Sequence, residues 1–255
     1  MRDARAGDGR ADYAPFVVLA LLLLPAAQAA DFDSLLSADG WEVAGSVDHE
    51  VLGAVTLAVK DVSGVRCLRG TARVDASARD MLGVVDDIDG ARSWSTAGLS
   101  ESRVLERRDG HVDYVQVLDV PDWTMAADRF WVLRSRTTTA PDGALVFRWD
   151  RFDWRAAWPE LAAELAARHP RAVEPDPNFG AWVFRERPVA PAASSAGPAG
   201  GQAVDAAGGD AGTELAYYLC TESGSLPAWL QKAAATRTVP AAMADVVRAA
   251  RRRAH

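Results

Sequence analysis

The chain has 255 residues, 49% hydrophobic and 25% charged, an ordinary globular composition that excludes a disordered, collagenous or polytopic membrane protein. Lys and Arg number 28 against 35 Asp and Glu, a net charge of -7, so the basic surface of a phosphate-backbone binder is missing and nucleic acid is not an expected partner. Two cysteines allow at most one bridge, and four scattered histidines (His49, His111, His169, His255) lack metal-site spacing.

The apolar run 14–24 is too short to span a bilayer and is followed by small residues at Ala27 and Ala29. This is the pattern of an export signal cleaved after Ala29. Residues 1–29 are therefore expected to be a signal peptide, and 30–255 one exported domain, periplasmic or secreted. The first 12 residues depart from the pattern, because Arg2, Arg5 and Arg10 are balanced by Asp3, Asp8 and Asp12.

Residues 31–39 read as a short helix ended by Gly40. Val55, Leu57 and Val59 alternate with polar or small residues as a strand does, and Ser63-Gly64 marks a turn. The next strand, 65–74, sets Leu68, Ala72 and Val74 on one face and Cys67, Arg69, Thr71 and Arg73 on the other. A helix follows over 75–85 with Asp75 as expected N-cap. Strands are predicted near 101–107, 111–119, 129–138 and 144–152, with hairpin turns at Asp109-Gly110 and Asp142-Gly143. The segment 154–168 places Trp154, Trp158, Leu161 and Leu165 on one helical face. It fits either a helix packed on the domain or a mobile lid touching a membrane. Strands return near 181–187 and 214–221, separated by an Ala/Gly-rich insertion, 189–212, that reads as a flexible loop. From Leu226 the chain is helical, with Trp229, Ala233, Thr236, Pro240, Met243, Val247 and Ala250 in one stripe and a kink expected at Pro240.

Strand parity groups the large side chains. Leu145, Phe147 and Trp149, then Trp182 and Phe184, then Leu215, Tyr217 and Leu219 share one apolar face, with the opposite face expected to be mostly wetted. Nine tryptophans in all call for a large core or a large apolar cavity. Arg129 shares its face with Trp131 and Leu133, and an arginine on an apolar face needs a partner or a ligand. No nucleophile elbow, dinucleotide fingerprint, P-loop or zinc-protease motif occurs. Asp86, Asp87 and Asp89 before Gly90 lack the full calcium loop and read as a solvated helix end. No catalytic residue, metal or cofactor is expected.

Several segments in order carry a resemblance. They are Val65-Arg-Cys-Leu-Arg-Gly-Thr-Ala-Arg-Val, the helix ending Val85-Asp-Asp-Ile-Asp with Trp94 after it, and Val120-Pro-Asp-Trp-Thr-Met-Ala-Ala-Asp-Arg-Phe-Trp-Val. Gly180-Ala-Trp-Val-Phe, Gly212-Thr-Glu-Leu-Ala-Tyr-Tyr and Gly224-Ser-Leu-Pro-Ala-Trp-Leu complete the set. Over roughly 45–250 the chain resembles a StAR-related lipid-transfer (START) domain of bacterial type. The resemblance implies an α+β helix-grip fold, a curved antiparallel sheet wrapped around a long C-terminal helix and enclosing an apolar cavity. It implies binding, with transfer as a further step, of a lipid or sterol-like apolar ligand by a monomer that touches membranes transiently. Joined to strand parity, it nominates Arg129, Trp131, Phe147, Trp149, Trp182, Phe184, Tyr217, Trp229 and Met243 as ligand-binding residues. The family often has Arg-Asp where this chain has Arg129-Phe130, which leaves the charge partner of Arg129 unidentified. The resemblance also implies that strands 65–74 and 214–221 pair antiparallel, bringing Cys67 near Cys220. In an exported chain a disulfide is then expected, with two free thiols as the alternative. Two other readings stay open: a cyclase- or hydrolase-like enzyme on the same fold, and a filled-core interaction module.

Overall fold

The computed structural model describes residues 31–108, 110–120, 127–187, 212–221 and 228–254, the side chains of 228–235 excepted. The proposed signal segment and nearly all of the 189–212 insertion lie outside these residues. The elements in chain order are α1 (Phe32–Leu36), β1 (Glu42–His49), β2 (Gly53–Val62), β3 (Val65–Val74), α2 (Ala78–Asp86), α3 (Ala91–Trp94), β4 (Leu99–Arg108) and β5 (His111–Leu118). Then follow β6 (Arg129–Thr139), β7 (Leu145–Arg151), α4 (Trp154–Ala157), α5 (Pro159–Arg168), β8 (Asn178–Arg187), β9 (Gly212–Thr221) and α6 (Ala228–Arg253).

One nine-stranded sheet runs β1-β2-β3-β9-β8-β7-β6-β5-β4, with every neighbouring pair antiparallel. Two meanders, β1–β3 and β4–β9, therefore meet at the β3–β9 seam. Helices α2 and α6 pack against each other and on the concave face, where Met81, Val84, Phe184, Leu215, Met243 and Val247 share one core. This is the helix-grip arrangement expected.

Local chemistry sets the boundaries. Ser63 and Gly64 both take positive φ (50° and 82°) between the paired Val62 and Val65, the two-residue hairpin that matches strand twist. Helix α2 is capped by Ser77, whose hydroxyl accepts from Asp80 N at 3.4 Å, and not by Asp75. Strand β3 persists through Val74, so Asp75 comes two residues too early to cap. Asp87 and Asp89 are spent on the chain itself, accepting from Gly90 N and Val104 N at 3.1 and 2.8 Å. The segment 154–168 breaks at Trp158–Pro159, since proline has no N–H to continue α4 but suits the first position of α5. Helix α6 runs as one element through Pro240.

Three further features differ from the sequence reading. Strand β1 has no apolar alternation and a register shift between Val43 and Gly45, so its pattern did not reveal it. Helix α3 was too short to show a period. The convex face is not mostly wetted: α1 covers Cys67, Ala181, Ala216 and Cys220 with Leu35, while α4 and α5 bury Trp154, Leu161 and Leu165 on Val115, Val117 and Val132. The 154–168 segment thus packs on the domain. Cys67 and Cys220 are directly opposed across the seam, Cα atoms 4.3 Å apart, and form the expected disulfide.

Candidate functional site

The concave face has a packed half and an accessible half. In the packed half Phe147, Trp149, Trp182 and Phe184 are each at most 7% exposed. Their rings form a chain: Trp182 meets Phe184 at 6.3 Å and Phe147 meets Trp149 at 6.5 Å. Tyr217 lies on Trp182 at 4.0 Å and on Trp149 at 6.0 Å. Across from them Met243 is fully buried. Helix α6 crosses the sheet at Gly70, where a Cβ would come within 2.5 Å of Val239 and 2.7 Å of Met243. Only glycine allows this approach. Phe147, Trp149, Trp182, Phe184 and Met243 therefore sit in the core between the sheet and helices α2 and α6.

In the accessible half the inward side chains Leu68, Leu219, Tyr217, Trp131 and Trp94 all keep part of their surface open. Here two indole N–H groups, Trp94 Nε1 and Trp131 Nε1, are buried without a hydrogen-bond partner. Three other indoles are served, Trp41 by Ser37 O at 3.1 Å, Trp149 by Asn178 at 3.0 Å and Trp154 by Glu174 at 2.8 Å, while Trp158 Nε1 on the convex face is also buried without a partner. Each orphaned donor costs about 1–3 kcal/mol in an empty apolar space, a cost that an acceptor on a ligand would remove. Trp131 pairs across the sheet with Gln116, whose Nε2 donates to Ser102 Oγ (3.0 Å), which donates to Ile88 O (2.6 Å).

The curved sheet also brings Tyr114 of β5 toward Tyr217 of β9. Burial, and secondarily the charge of Tyr217, pushes the Tyr114 phenol far above its ordinary pKa, and burial does the same to Tyr217. Both stay neutral donors throughout the physiological range. Arg129 is half-buried at the start of β6, opposite Leu118 and bridged to Val173. Its Nη1 donates to Ala127 O at 2.7 Å and Asp128 O at 3.4 Å. The Asp128 carboxylate accepts from Val120 N at 2.9 Å instead. The internal carboxylate partner is thus replaced by backbone carbonyls.

The nine nominated residues therefore separate into five core residues, Trp131 and Tyr217 at the accessible half, Arg129 at its strand end, and Trp229, whose side chain lies outside those described. Sequence reasoning did not nominate Trp94, Tyr114 or Gln116. On β5 both faces are apolar, since Val115 and Val117 pack under α4 and α5. Alternation alone cannot tell there which face looks inward. Among the described residues no cluster of His, Cys, Asp or Glu is arranged to hold a metal.

No family model matches the chain, and no curated protein matches it by sequence. Solved structures do match by shape. A STAR-related lipid transfer protein fragment from Xanthomonas axonopodis superposes with a TM-score of 0.54 at 21% identity, covering 84% of this chain and 99% of that one. Human STARD10 gives 0.59 at 13% identity over 87% and 77%, and human StAR-related lipid transfer protein 5 gives 0.57 at 12% over 88% and 92%. At these identities the likeness fixes the fold, a START-like helix grip.

Proposed function

We propose that the protein binds a lipid or sterol-like apolar ligand between the concave sheet face and α6, without covalent chemistry. The observation that carries this reading is the accessible half itself: wide apolar side chains facing inward with surface still open, and two buried indole donors among them without an acceptor. Apolar burial contributes roughly 25 cal/mol per Å², so a few hundred Å² of ligand surface suffices for binding. Arg129, Trp131 and Tyr217 border the ligand's polar end, while Phe147, Trp149, Trp182, Phe184 and Met243 form the packed wall behind it. The solved structures of the same fold carry lipid-transfer names, which supports a lipid as ligand and transfer between membranes as the outcome.

Native mass spectrometry of protein purified without detergent, followed by solvent extraction, tests the reading: a bound apolar molecule is expected. Protein that carries none and leaves its tryptophan fluorescence unchanged with sterol, fatty acid and phospholipid refutes it. Turnover of the extracted molecule would favour the enzymatic alternative. We further place the mature protein outside the cytoplasm, supported by the 14–24 apolar run with Ala27 and Ala29 and by the Cys67–Cys220 bridge. N-terminal sequencing should begin at Ala30.

A further inference from the structure

We propose that the convex face carries a second site, separate from the lipid space, for a small amphiphile bearing a phosphate or carboxylate. A groove of about 870 Å³ lies there between the end of α1 (Leu36, Ala38) and the β6–β7 hairpin (Ala140, Ala144). Its floor is made of small side chains, Ala54, Thr56, Thr71 and Ala216, which let a ligand approach the sheet.

The charge of the groove runs against that of the chain. The protein is -7 overall, yet the lining holds Arg69, Arg73, Arg185 and Arg187 against one carboxylate, Glu214. That carboxylate is already taken by Arg185 at 3.0 Å and Arg187 at 2.6 Å, and Asp142 also holds Arg185, at 2.7 Å. No carboxylate is left for the two arginines of β3, though Arg69 hydrogen-bonds the Tyr218 phenol that also lines the groove. Arg69 lies over the Trp41 ring at 4.7 Å, and its Nε is buried with no partner. Arg73 is exposed and pairs with no carboxylate among the described residues. Thr71 stands between them and is directly paired with Thr56 across β2–β3. Neither threonine hydroxyl is engaged among the described residues.

Two guanidiniums and two hydroxyls thus line one floor with no carboxylate left to neutralise the charges, the donor set that an oxyanion satisfies. The volume exceeds what a bare ion fills and falls in the range of small-molecule pockets. Leu36, Val146 and Val183 line it and suit a short apolar tail.

Calorimetric titration at fixed ionic strength with hexyl phosphate, hexanoate and neutral hexanol tests the site. At least one anion should bind saturably at one per chain, and hexanol should not compete for it. The stronger anion identifies the headgroup. Arg73→Gln, at an exposed position, should weaken the anion at least tenfold, while Arg136→Gln, an exposed arginine outside the groove, and Trp131→Phe, on the concave face, should change it less than twofold. Anions that bind no better than hexanol, or an Arg73→Gln protein that binds them unchanged, overturn the proposal. An effect of Trp131→Phe equal to that of Arg73→Gln also overturns it, because the anion then sits in the lipid space. Loss of lipid on the concave face, with anion binding intact, would refute the first reading and leave this one standing.

Discussion

The two halves of the concave face use the same kinds of residue to opposite ends. Around Phe147, Trp182 and Phe184 the aromatics touch one another under α2, and each is buried. Around Trp131, Trp94 and Leu219 equally large groups face the same way and stay partly open, two of them with unserved N–H donors. The two regions lie under different helices: α2 packs on β7 and β8, while α6 packs on β3 and β9 and is pressed onto the sheet at Gly70.

The comparison breaks most visibly in the packed half. Phe184→Ala should destabilise by about 3–5 kcal/mol in denaturant unfolding, as expected for a fully buried phenylalanine. A loss below about 1 kcal/mol would mean the packed half is not packed. Next is the seam. The disulfide lies on the reverse of the strand pair whose inward neighbours, Leu68 and Leu219, belong to the accessible half. It ties together the two strands on which α6 packs. Replacing both cysteines by alanine should cost about 2–4 kcal/mol, read as a shift in denaturation midpoint, and should loosen ligand binding more than Phe184→Ala does in the folded population.

Smaller effects sharpen the contrast. Glu101 of β4 anchors α5 through Arg168 at 2.8 Å and also holds its strand neighbour Arg103 at 2.7 Å. Burial raises its pKa, but the hydrogen bonds of Arg103 and His169 and the charges of Arg168 and Arg103 outweigh this and hold it below its usual 4.5. A depressed carboxyl stabilises the fold above that ordinary value, and the contribution disappears as pH falls through the folded-state pKa. Acid unfolding of Glu101→Gln should therefore show a shallower loss below pH about 4.5 than the parent. The smallest change is Trp131→Phe. It removes an unpaired donor, so stability should hold or rise slightly, while a ketone- or ester-bearing lipid should bind roughly 3- to 10-fold more weakly, the worth of one neutral hydrogen bond.

Much of this architecture was legible from alternation. Strands β2 to β9 were each expected near their observed places, β2, β3 and β7–β9 because one face of each is largely apolar, and the cystine followed once parity was joined to the family's strand order. Legibility failed where both sides of a strand are covered. On β5 the alternation of Val112, Tyr114 and Gln116 with Val115 and Val117 carries no direction, because α4 and α5 bury the outer set. Arg129 was legible as an anomaly but not in its resolution, since backbone carbonyls leave no residue signature. The division of the concave face was also hidden, because it depends on which strands α2 and α6 come to cover.

The seam has a further consequence for chain connectivity. The Cys67–Cys220 bond joins the first meander to the last strand, and the long insertion between Arg187 and Gly212 lies within the stretch it spans. A chain severed anywhere in that insertion would yield two polypeptides, one ending β8 and one carrying β9 and α6. They would remain a single covalent molecule that separates on a gel only after reduction. The long helix and the sheet it grips would thus stay together through a cut in the backbone.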